Sequence, residues 1–216
     1  KLEDQRILFL GAGEAATGIA DLTASAMAAQ GMKMEDARRR CWLVDSRGLV
    51  VKSRTDLAEH KLLYAHEHAQ VPDFLNAIRT LKPTAIIGVA AVADYRVDKI
   101  SKQKIKKTDR NLSLKLVPNP DILAWVAALP RAPFCVGFAA ESQKLHEFAD
   151  AKRRRKKVPL MVANLAQDAI GADDNEITLL DDNGVHTLAR AAKTILAGQL
   201  IAHIAKLYRS RKTKKS

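Results

Sequence analysis

The residues of this chain with the clearest chemical potential form a small-residue turn near its start. An apolar run at residues 7–10 is followed by Gly11, Gly13, Glu14, Ala15 and Ala16. In such a turn the first glycine permits a tight bend, and the second lets the backbone approach a pyrophosphate. The N–H groups at the start of the next helix then face the phosphates, helped by the helix dipole. The pattern therefore predicts a nucleotide site. The plainer alternative is that the small residues only permit close packing of helix and strand.

A carboxylate suited to a ribose follows in the second apolar run. Asp45 ends the predicted strand at residues 41–45, where its oxygens could accept hydrogen bonds from sugar hydroxyls. It lies farther along the chain than the usual spacing of about 20 residues after the glycine turn. The crossover between the two strands must therefore be long.

The elements that position these residues alternate between short apolar runs and helical stretches, which is typical of a parallel sheet with helices on both faces. We predict a doubly wound, Rossmann-like α/β fold of three layers in a single domain. The predicted strands are residues 6–10, 41–45, 85–89, 134–139 and 160–164. The predicted helices are residues 14–30, 34–40, 73–81, 121–129, 144–157 and 190–207. A hairpin is expected over residues 176–188, and a half-exposed strand over residues 112–116.

Composition narrows the classes of function. The 216 residues carry a net charge of +12, most of it beyond residue 90, but only 5% of them are aromatic. Without a recognition module, we expect a phosphate-rich small ligand rather than a nucleic acid. We expect Cys41 and Cys135 to be buried and reduced. No apolar stretch reaches about 18 residues and the chain starts with charged residues, so we expect a cytoplasmic protein without a membrane segment. The basic residues 209–216 are expected to form a disordered tail.

Residues 1–90 resemble the NAD(P)-binding domain of malic enzymes. The resemblance rests on residues 8–16, 42–50, 64–68 and 82–89. It implies that Asp45 meets the adenosine ribose, and that Ser46 and Lys61 meet the 2′-phosphate of NADP. It does not reach the catalytic and metal-binding residues of that family, so we do not expect malate oxidation.

Residues 90–208 resemble the phosphopantothenate–cysteine ligases, which use CTP in coenzyme A synthesis. The resemblance rests on residues 91–96, 104–107, 119–123, 136–141 and 160–164, which follow in the family's order. These ligases activate a carboxylate by transferring CMP to it, and the amine of cysteine then displaces the CMP. The ligands implied are CTP, Mg²⁺ and 4′-phosphopantothenate.

This second resemblance implies a set of site residues. Lys104 would contact phosphate during acyl transfer. Lys152 and Lys156 are four residues apart on one predicted helix, so they share a face and could grip the triphosphate together. Asp94 could hold a divalent cation that bridges phosphates. The remaining implied cofactor-binding residues are Ala90, Asn119, Pro120, Asp121, Ile122 and Phe138, with Phe138 offering an apolar surface for the base.

Each of these features alone has a plainer interpretation. Asn119 or Asp121 would serve as an ordinary helix cap, with Pro120 near the helix start. The basic run at residues 152–157 would be a solvated helix face. Taken together and in order, the blocks favour a CTP site. The ligase's own glycine-rich turn and acyl-handling loop are replaced by the malic-type turn, so we expect ligase activity to be weak or absent.

The sequence is thus interpreted as a composite joined at residues 90–92. Its leading function is CTP and Mg²⁺ binding. The alternatives are an NADP- or NAD-binding module, or a folded chimera without ligand affinity. The ligase resemblance also implies a homodimer through an arm at residues 99–117, because an isolated two-stranded arm is only marginally stable.

Overall fold

The computed structural model describes residues 2–90, 92–100, 103–106, 111–165, 167 and 174–213. The strands are β1 Ile7–Leu10, β2 Cys41–Asp45, β3 Gly48–Leu49, β4 Ala85–Gly88, β5 Tyr95–Val97, β6 Leu116–Pro118, β7 Phe134–Glu141, β8 Leu160–Leu165, β9 Asp174–Asp181 and β10 Gly184–Ala192. The α-helices are α1 Glu14–Ala28, α2 Met34–Arg38, α3 Glu59–Leu62, α4 Phe74–Leu81, α5 Ile122–Ala127, α6 Leu145–Lys156 and α7 Lys193–Thr213. A 3₁₀ turn at Leu2–Asp4 precedes them.

Eight of the strands form one sheet in the order β10-β9-β8-β7-β4-β1-β2-β3. The pairs among β2, β1, β4, β7 and β8 are parallel, whereas β3, β9 and β10 run antiparallel to their neighbours. From β1 the chain moves to β2 on one side, and later returns to β4 on the other. The strand order therefore reverses between β1 and β4, where the carboxyl ends of the strands of a doubly wound sheet bind ligands.

The two halves of the sequence share this sheet. β4, at the end of the first half, pairs with β1 on one side and with β7 from the second half on the other, so that Ala85 lies between Ile7 and Phe134. The helices also mix the halves, since Ala24 of α1 and Leu200 of α7 belong to one buried cluster on the same face. On the other face, α4, α5 and α6 cover a second buried cluster. The predicted three-layer α/β fold is confirmed.

The carboxyl-terminal region differs from the prediction. Helix α7 begins at Lys193 rather than at residue 190, because β10 pairs with β9 as far as the register position of Ala192 opposite Asp174. Pairing with a neighbouring strand overrides the helix preference of the local alanines. The helix then continues to Thr213, where the sequence predicted a disordered tail. Arg211 donates to the carbonyl oxygens of Ala132 and Pro133 and so fastens its last turns. Residues 214–216 lie outside the described part of the chain.

The strand predicted at residues 112–116 is displaced in the structure, where residues 112–115 are not part of a strand. β6 spans Leu116–Pro118 and pairs antiparallel with β5, outside the main sheet. Leu112 and Leu114 precede the strand and are exposed. Of the predicted arm, residues 101, 102 and 107–110 lie outside the described residues.

None of the helices described here combines the length and apolar character needed to cross a membrane.

Candidate functional site

The glycine turn joins the carboxyl end of β1 to α1 and passes close to the end of β4. Gly11 has a φ of 120°, and a Cβ atom there would lie 3.1 Å from the nitrogen of Ala90. The turn is held in place because the N–H of Gly11 donates to Val44 and the N–H of Ala90 donates to Leu10. Only glycine adopts this backbone without strain. Gly11 is thus required where the two halves of the sequence approach each other.

The start of α1 has open space around its backbone. Gly13 is the N-cap residue, with an extended backbone, and a Cβ atom there would meet no atom of the described residues within 4 Å. Among the described side chains, none caps this helix through a hydrogen bond. The first N–H groups of the helix are therefore not occupied by a capping side chain, and binding of an anion there stays a prediction. Ala16 is buried.

A cavity of about 570 Å³ lies against this turn, and we call it the glycine-turn cavity. The sequence-predicted residues that line it are Gly11, Gly13, Ala15, Ala16, Asp45, Ser46, Ala90 and Ile122. Glu14 and Lys61 do not line this cavity. Lys61 contacts Asp45, which does line it.

Asp45 is already surrounded by donors. Its carboxylate accepts hydrogen bonds from Arg54 at 2.9 and 3.1 Å, from Lys61 at 2.7 Å and from the N–H of Arg47 at 2.9 Å. Burial alone would raise the pKa of Asp45, but the hydrogen bonds from Arg54 and Lys61 lower it below its usual value. A ribose could bind this carboxylate only by displacing one of its donors. Arg54 was missed at the sequence level, since nothing in its spacing marks it as a partner of Asp45.

A second cavity, of about 610 Å³, lies at the carboxyl ends of β4 and β7, and we call it the lysine cavity. It brings together residues that are far apart in the sequence. The predicted residues that line it are Ala90, Asp94, Asn119, Pro120, Asp121, Ile122, Phe138, Lys152 and Lys156. Arg155 also lines it and was missed, although it belongs to the basic run that contains both lysines.

The two lysines are held by carboxylates. Lys152 Nζ lies 2.7 Å from Glu141 Oε1, at the end of β7, and Lys156 Nζ lies 2.7 Å from Asp121 Oδ2. Burial would raise the pKa of Asp121, but the hydrogen bonds from Lys156 and from the N–H of Ala124 lower it. Each cation is therefore positioned at the cavity by a carboxylate partner.

Asp121 and Asn119 have different roles at the start of α5. Asp121 is the N-cap, because its Oδ1 accepts a hydrogen bond from the N–H of Ala124 at 3.0 Å. The side-chain amide of Asn119 instead donates to the carbonyl oxygen of Ala93 at 2.7 Å. The backbone N–H of Asn119 donates to the carbonyl oxygen of Asp94 at 2.8 Å. Asn119 thereby fixes the backbone next to Asp94 at the mouth of the lysine cavity.

Among the described residues, Lys104 and Asp94 are not surrounded by the groups that their predicted roles require. Lys104 lies in the exposed stretch 103–106 and does not line the lysine cavity. Asp94 does line it, but within the described residues it belongs to no group of three close histidine, cysteine or carboxylate ligands.

The two cavities adjoin at the point where the strand order reverses. Leu10, Ala90, Val92 and Ile122 line both of them. A long ligand in the lysine cavity could therefore extend its phosphates towards the N–H groups of the glycine turn.

Comparison with known protein families gives a match over most of the chain. A family model described as the DNA/pantothenate metabolism flavoprotein C-terminal domain matches residues 30–208. The match begins before the proposed join at residues 90–92 and includes most of the strands.

Curated relatives fall into two groups. The NADP-dependent malic enzyme of Mus musculus is 45% identical over 128 residues, which is 59% of this chain and 22% of that enzyme. The coenzyme A biosynthesis bifunctional protein CoaBC of Haemophilus influenzae is 40% identical over 131 residues, which is 59% of this chain and 33% of that protein. The resemblance to both families is confirmed. Each of the two alignments covers more than half of the chain, so the two alignments overlap. The chain spans about a fifth of the malic enzyme and a third of CoaBC.

Solved structures share the fold over nearly the whole chain. The C-terminal domain of CoaBC has a TM-score of 0.61 at 20% identity, covering 96% of this chain and 97% of that one. The DNA/pantothenate metabolism flavoprotein from Streptococcus pneumoniae has a TM-score of 0.61 at 17% identity, covering 94% and 99%.

Proposed function

Because the chain belongs to the family of DNA/pantothenate metabolism flavoprotein C-terminal domains, we propose that its lysine cavity binds CTP together with Mg²⁺. The observation that carries this proposal is the position of the cations. Lys152, Arg155 and Lys156 reach one cavity from a single helix, and ion pairs hold both lysines there. A triphosphate needs such a set of cations, since charge-assisted hydrogen bonds to phosphate are stronger than neutral ones.

Other residues that line the cavity suit a nucleoside. Phe138 is half-buried and lines it, and so do Asn119, Pro120, Asp121 and Ile122. An apolar wall with a few convergent polar groups is typical of small-molecule sites. The choice of cytosine over other bases comes from the family resemblance.

The cavity also fits a magnesium ion bound with the nucleotide. Mg²⁺ is usually held by one or two carboxylates together with the phosphates of the ligand. Asp94 supplies one carboxylate at the lysine cavity. When bound, the ion would neutralise phosphate charge, and Asp94 would position it.

We propose that ligase activity is weak or absent, although 4′-phosphopantothenate remains the carboxylate substrate that the family resemblance implies. The support is that Lys104, the predicted phosphate contact during acyl transfer, lies outside the lining of the lysine cavity. The malic-type glycine turn also occupies the position of the ligase turn. An assay that supplies CTP, 4′-phosphopantothenate and cysteine should give little product above background.

Calorimetric titration of the chain with CTP and Mg²⁺ tests the binding proposal. We expect saturable binding that weakens when ATP or UTP replaces CTP. Absence of heat at millimolar CTP would refute a CTP site. If melting were cooperative and unchanged by every nucleotide, the chain would be a folded chimera without ligand function.

The second candidate function is NADP or NAD binding at the glycine-turn cavity. It is favoured by the open backbone at Gly13 and by Lys61, whose Nζ lies 2.7 Å from Asp45 and could turn to a 2′-phosphate. Energy transfer from tryptophan to NADPH would measure it. Binding of NADPH but not CTP would reverse the order of the two candidates.

We also propose a homodimer through the arm at residues 99–117. Its described part exposes Ile100, Ile105, Leu112, Leu114 and Leu116, an unusual number of large apolar side chains on one segment. Analytical ultracentrifugation should give twice the mass of one chain. Replacing both Leu112 and Leu114 with serine should shift the measured mass towards that of the monomer. A monomer in the unmodified chain would exclude this assembly.

A further inference from the structure

Asp181, His186 and His203 meet at an edge of the molecule that the proposed function does not use. Asp181 ends β9, His186 lies in β10, and His203 lies in α7. In the hairpin, His186 pairs with Leu179, which lies two residues before Asp181. The side chains of His186 and Asp181 therefore lie on the same face of the sheet. Helix α7 covers this face, and the leucines of its first half pack in one buried cluster with Leu179. The fold therefore brings two imidazoles and a carboxylate together from three separate elements.

The three side chains approach one another closely. His203 Nε2 lies 2.7 Å from Asp181 Oδ2, and His186 Nε2 lies 3.4 Å from the same oxygen. One ligand atom from each residue lies within 4.8 Å of the other two. The two imidazole rings are 4.9 Å apart between centroids.

One of the ring nitrogens is left without a hydrogen bond. His186 Nε2 is buried and has no hydrogen-bond partner among the described residues. A buried polar atom without a hydrogen-bond partner is unfavourable in a folded protein, which suggests that a further group binds there. It points towards the same carboxylate oxygen that His203 contacts.

The carboxylate lies buried between the two imidazoles. The side chain of Asp181 is only 1% exposed. Its Oδ1 accepts a hydrogen bond from the N–H of Asn183, while its Oδ2 faces the two histidines. This arrangement places the Oδ2 oxygen where a cation bound by both imidazoles could also meet it.

We propose that Asp181, His186 and His203 form a binding site for Zn²⁺. Two imidazole nitrogens and one carboxylate oxygen are a common ligand set for this ion, at about 2.0 to 2.2 Å from it. Ligand atoms at that distance lie roughly 3.3 Å apart in a tetrahedral site, which small side-chain rotations would reach here. A water molecule would supply the fourth ligand.

This site is separate from the nucleotide cavities. Asp181 follows Leu180, which pairs with Met161 near the first residue of β8. The cluster therefore lies at the end of the sheet where the parallel strands begin, whereas both cavities lie where they end. Failure of nucleotide binding would leave the zinc proposal untouched, and the reverse also holds.

The alternative is a purely structural role, in which the His203–Asp181 hydrogen bond fastens α7 to the hairpin. Titration of the metal-free chain with Zn²⁺, without nucleotide, separates the two. We expect saturable binding of one ion per chain, and with Co²⁺ as a probe we expect the visible absorption of a tetrahedral site.

His186→Gln is the decisive variant, because it removes one ligand and leaves the His203–Asp181 bond in place. Loss of a partner that only orients a ligand already weakens metal binding by about 10- to 100-fold, so loss of a ligand should cost at least as much. His146→Gln is the matched control, since His146 is exposed on α6 and, among the residues that the structure describes, belongs to no such cluster. Circular dichroism of each variant verifies the fold. Absence of saturable Zn²⁺ binding in the unmodified chain, or equal affinity in His186→Gln, would overturn the proposal.

Discussion

Lys156 Nζ lies 2.7 Å from Asp121 Oδ2, and this ion pair joins the last turn of α6 to the residue that caps α5. Both side chains line the lysine cavity and both are largely shielded, at 22% and 35% exposure. The pair therefore links the cation proposed to bind phosphate to the helix start proposed to meet the base. Binding of a triphosphate would require Lys156 to share its charge between Asp121 and the ligand.

Lys156→Gln should weaken CTP binding. The change removes a cation from the cavity and also leaves the Asp121 carboxylate facing the phosphates. A hydrogen bond to a charged group contributes about 1.5 to 3 kcal/mol, so we expect the dissociation constant to rise roughly 10- to 100-fold. Calorimetric titration measures it.

Arg154→Gln is the matched control for that experiment. It removes the same charge from the same helix, but Arg154 pairs with Asp150 and does not line the lysine cavity. We expect less than a threefold change in affinity, since an exposed charge at a distance is screened by salt. If both variants lost the same CTP affinity, only the overall charge of the chain would matter. That result would contradict a binding site at the lysine cavity.

Gly11→Ala should destabilise the chain, because the added Cβ would lie 3.1 Å from Ala90 at a φ of 120°. Backbone strain of this kind costs about 1 to 3 kcal/mol. Gly13→Ala is the control, since its φ is ordinary and a Cβ there meets nothing within 4 Å. Urea unfolding should show a large loss for the first and less than about 1 kcal/mol for the second. Equal stability of Gly11→Ala and the unmodified chain would contradict the close approach to Ala90.

Asp45→Asn should lower stability at neutral pH by about 1 to 3 kcal/mol, because the charge that Arg54 and Lys61 contact is lost. The pKa of Asp45 is lowered in the folded state, so its contribution is fully present above the unfolded value of about 3.9. The contribution disappears as pH falls below that value through the folded pKa. The difference between the variant and the unmodified chain should therefore shrink as the pH falls below about 4.

Urea unfolding at several pH values checks this behaviour. Glu67→Gln serves as the control, because Glu67 and Lys52 form an exposed pair, which contributes less than about 1 kcal/mol. If the difference in unfolding free energy between Asp45→Asn and the unmodified chain did not change with pH, the Asp45 carboxylate would not be held by Arg54 and Lys61.

The two thiols should resist modification in the folded chain. Burial, together with the charge of Asp21, raises the pKa of Cys41 to about 12. Burial also raises the pKa of Cys135 to about 12, against the opposing charge of Arg211. Both cysteines are free and buried, as the sequence predicts. Iodoacetamide at pH 8 should label neither until the chain is unfolded, and rapid labelling of the native chain would contradict this.

The strands of the sheet core were predictable because each is a short apolar run in a buried, parallel environment. β1, β2, β4, β7 and β8 all begin within one residue of the prediction or at it. The short strands β3 and β5 were missed, because two or three residues carry too little pattern. The extension of β10 to Ala192 depends on pairing with β9, which local sequence does not encode. Helix α5 ends at Ala127, earlier than predicted, ahead of Pro130.

The candidate site was predictable only where residues belong to recognisable blocks. The position of Lys152 and Lys156 on one helix followed from their spacing, but their carboxylate partners, Glu141 and Asp121, depend on the packing of α6 against β7 and α5. The Asp45–Arg54 contact and the cluster around Asp181 arise from folding alone. No spacing in the sequence marks them.

The measurement that tests the central claim most directly is a thermal-shift screen with CTP, UTP, ATP, NADPH and NADH, each with Mg²⁺. We predict that CTP raises the melting temperature most, and that Lys156→Gln reduces this shift while Arg154→Gln does not. Saturation at 100 times the dissociation constant adds about 2.7 kcal/mol to stability, which such a screen detects readily. A melting temperature unchanged by CTP at millimolar concentration would contradict a CTP site at the carboxyl ends of β4 and β7.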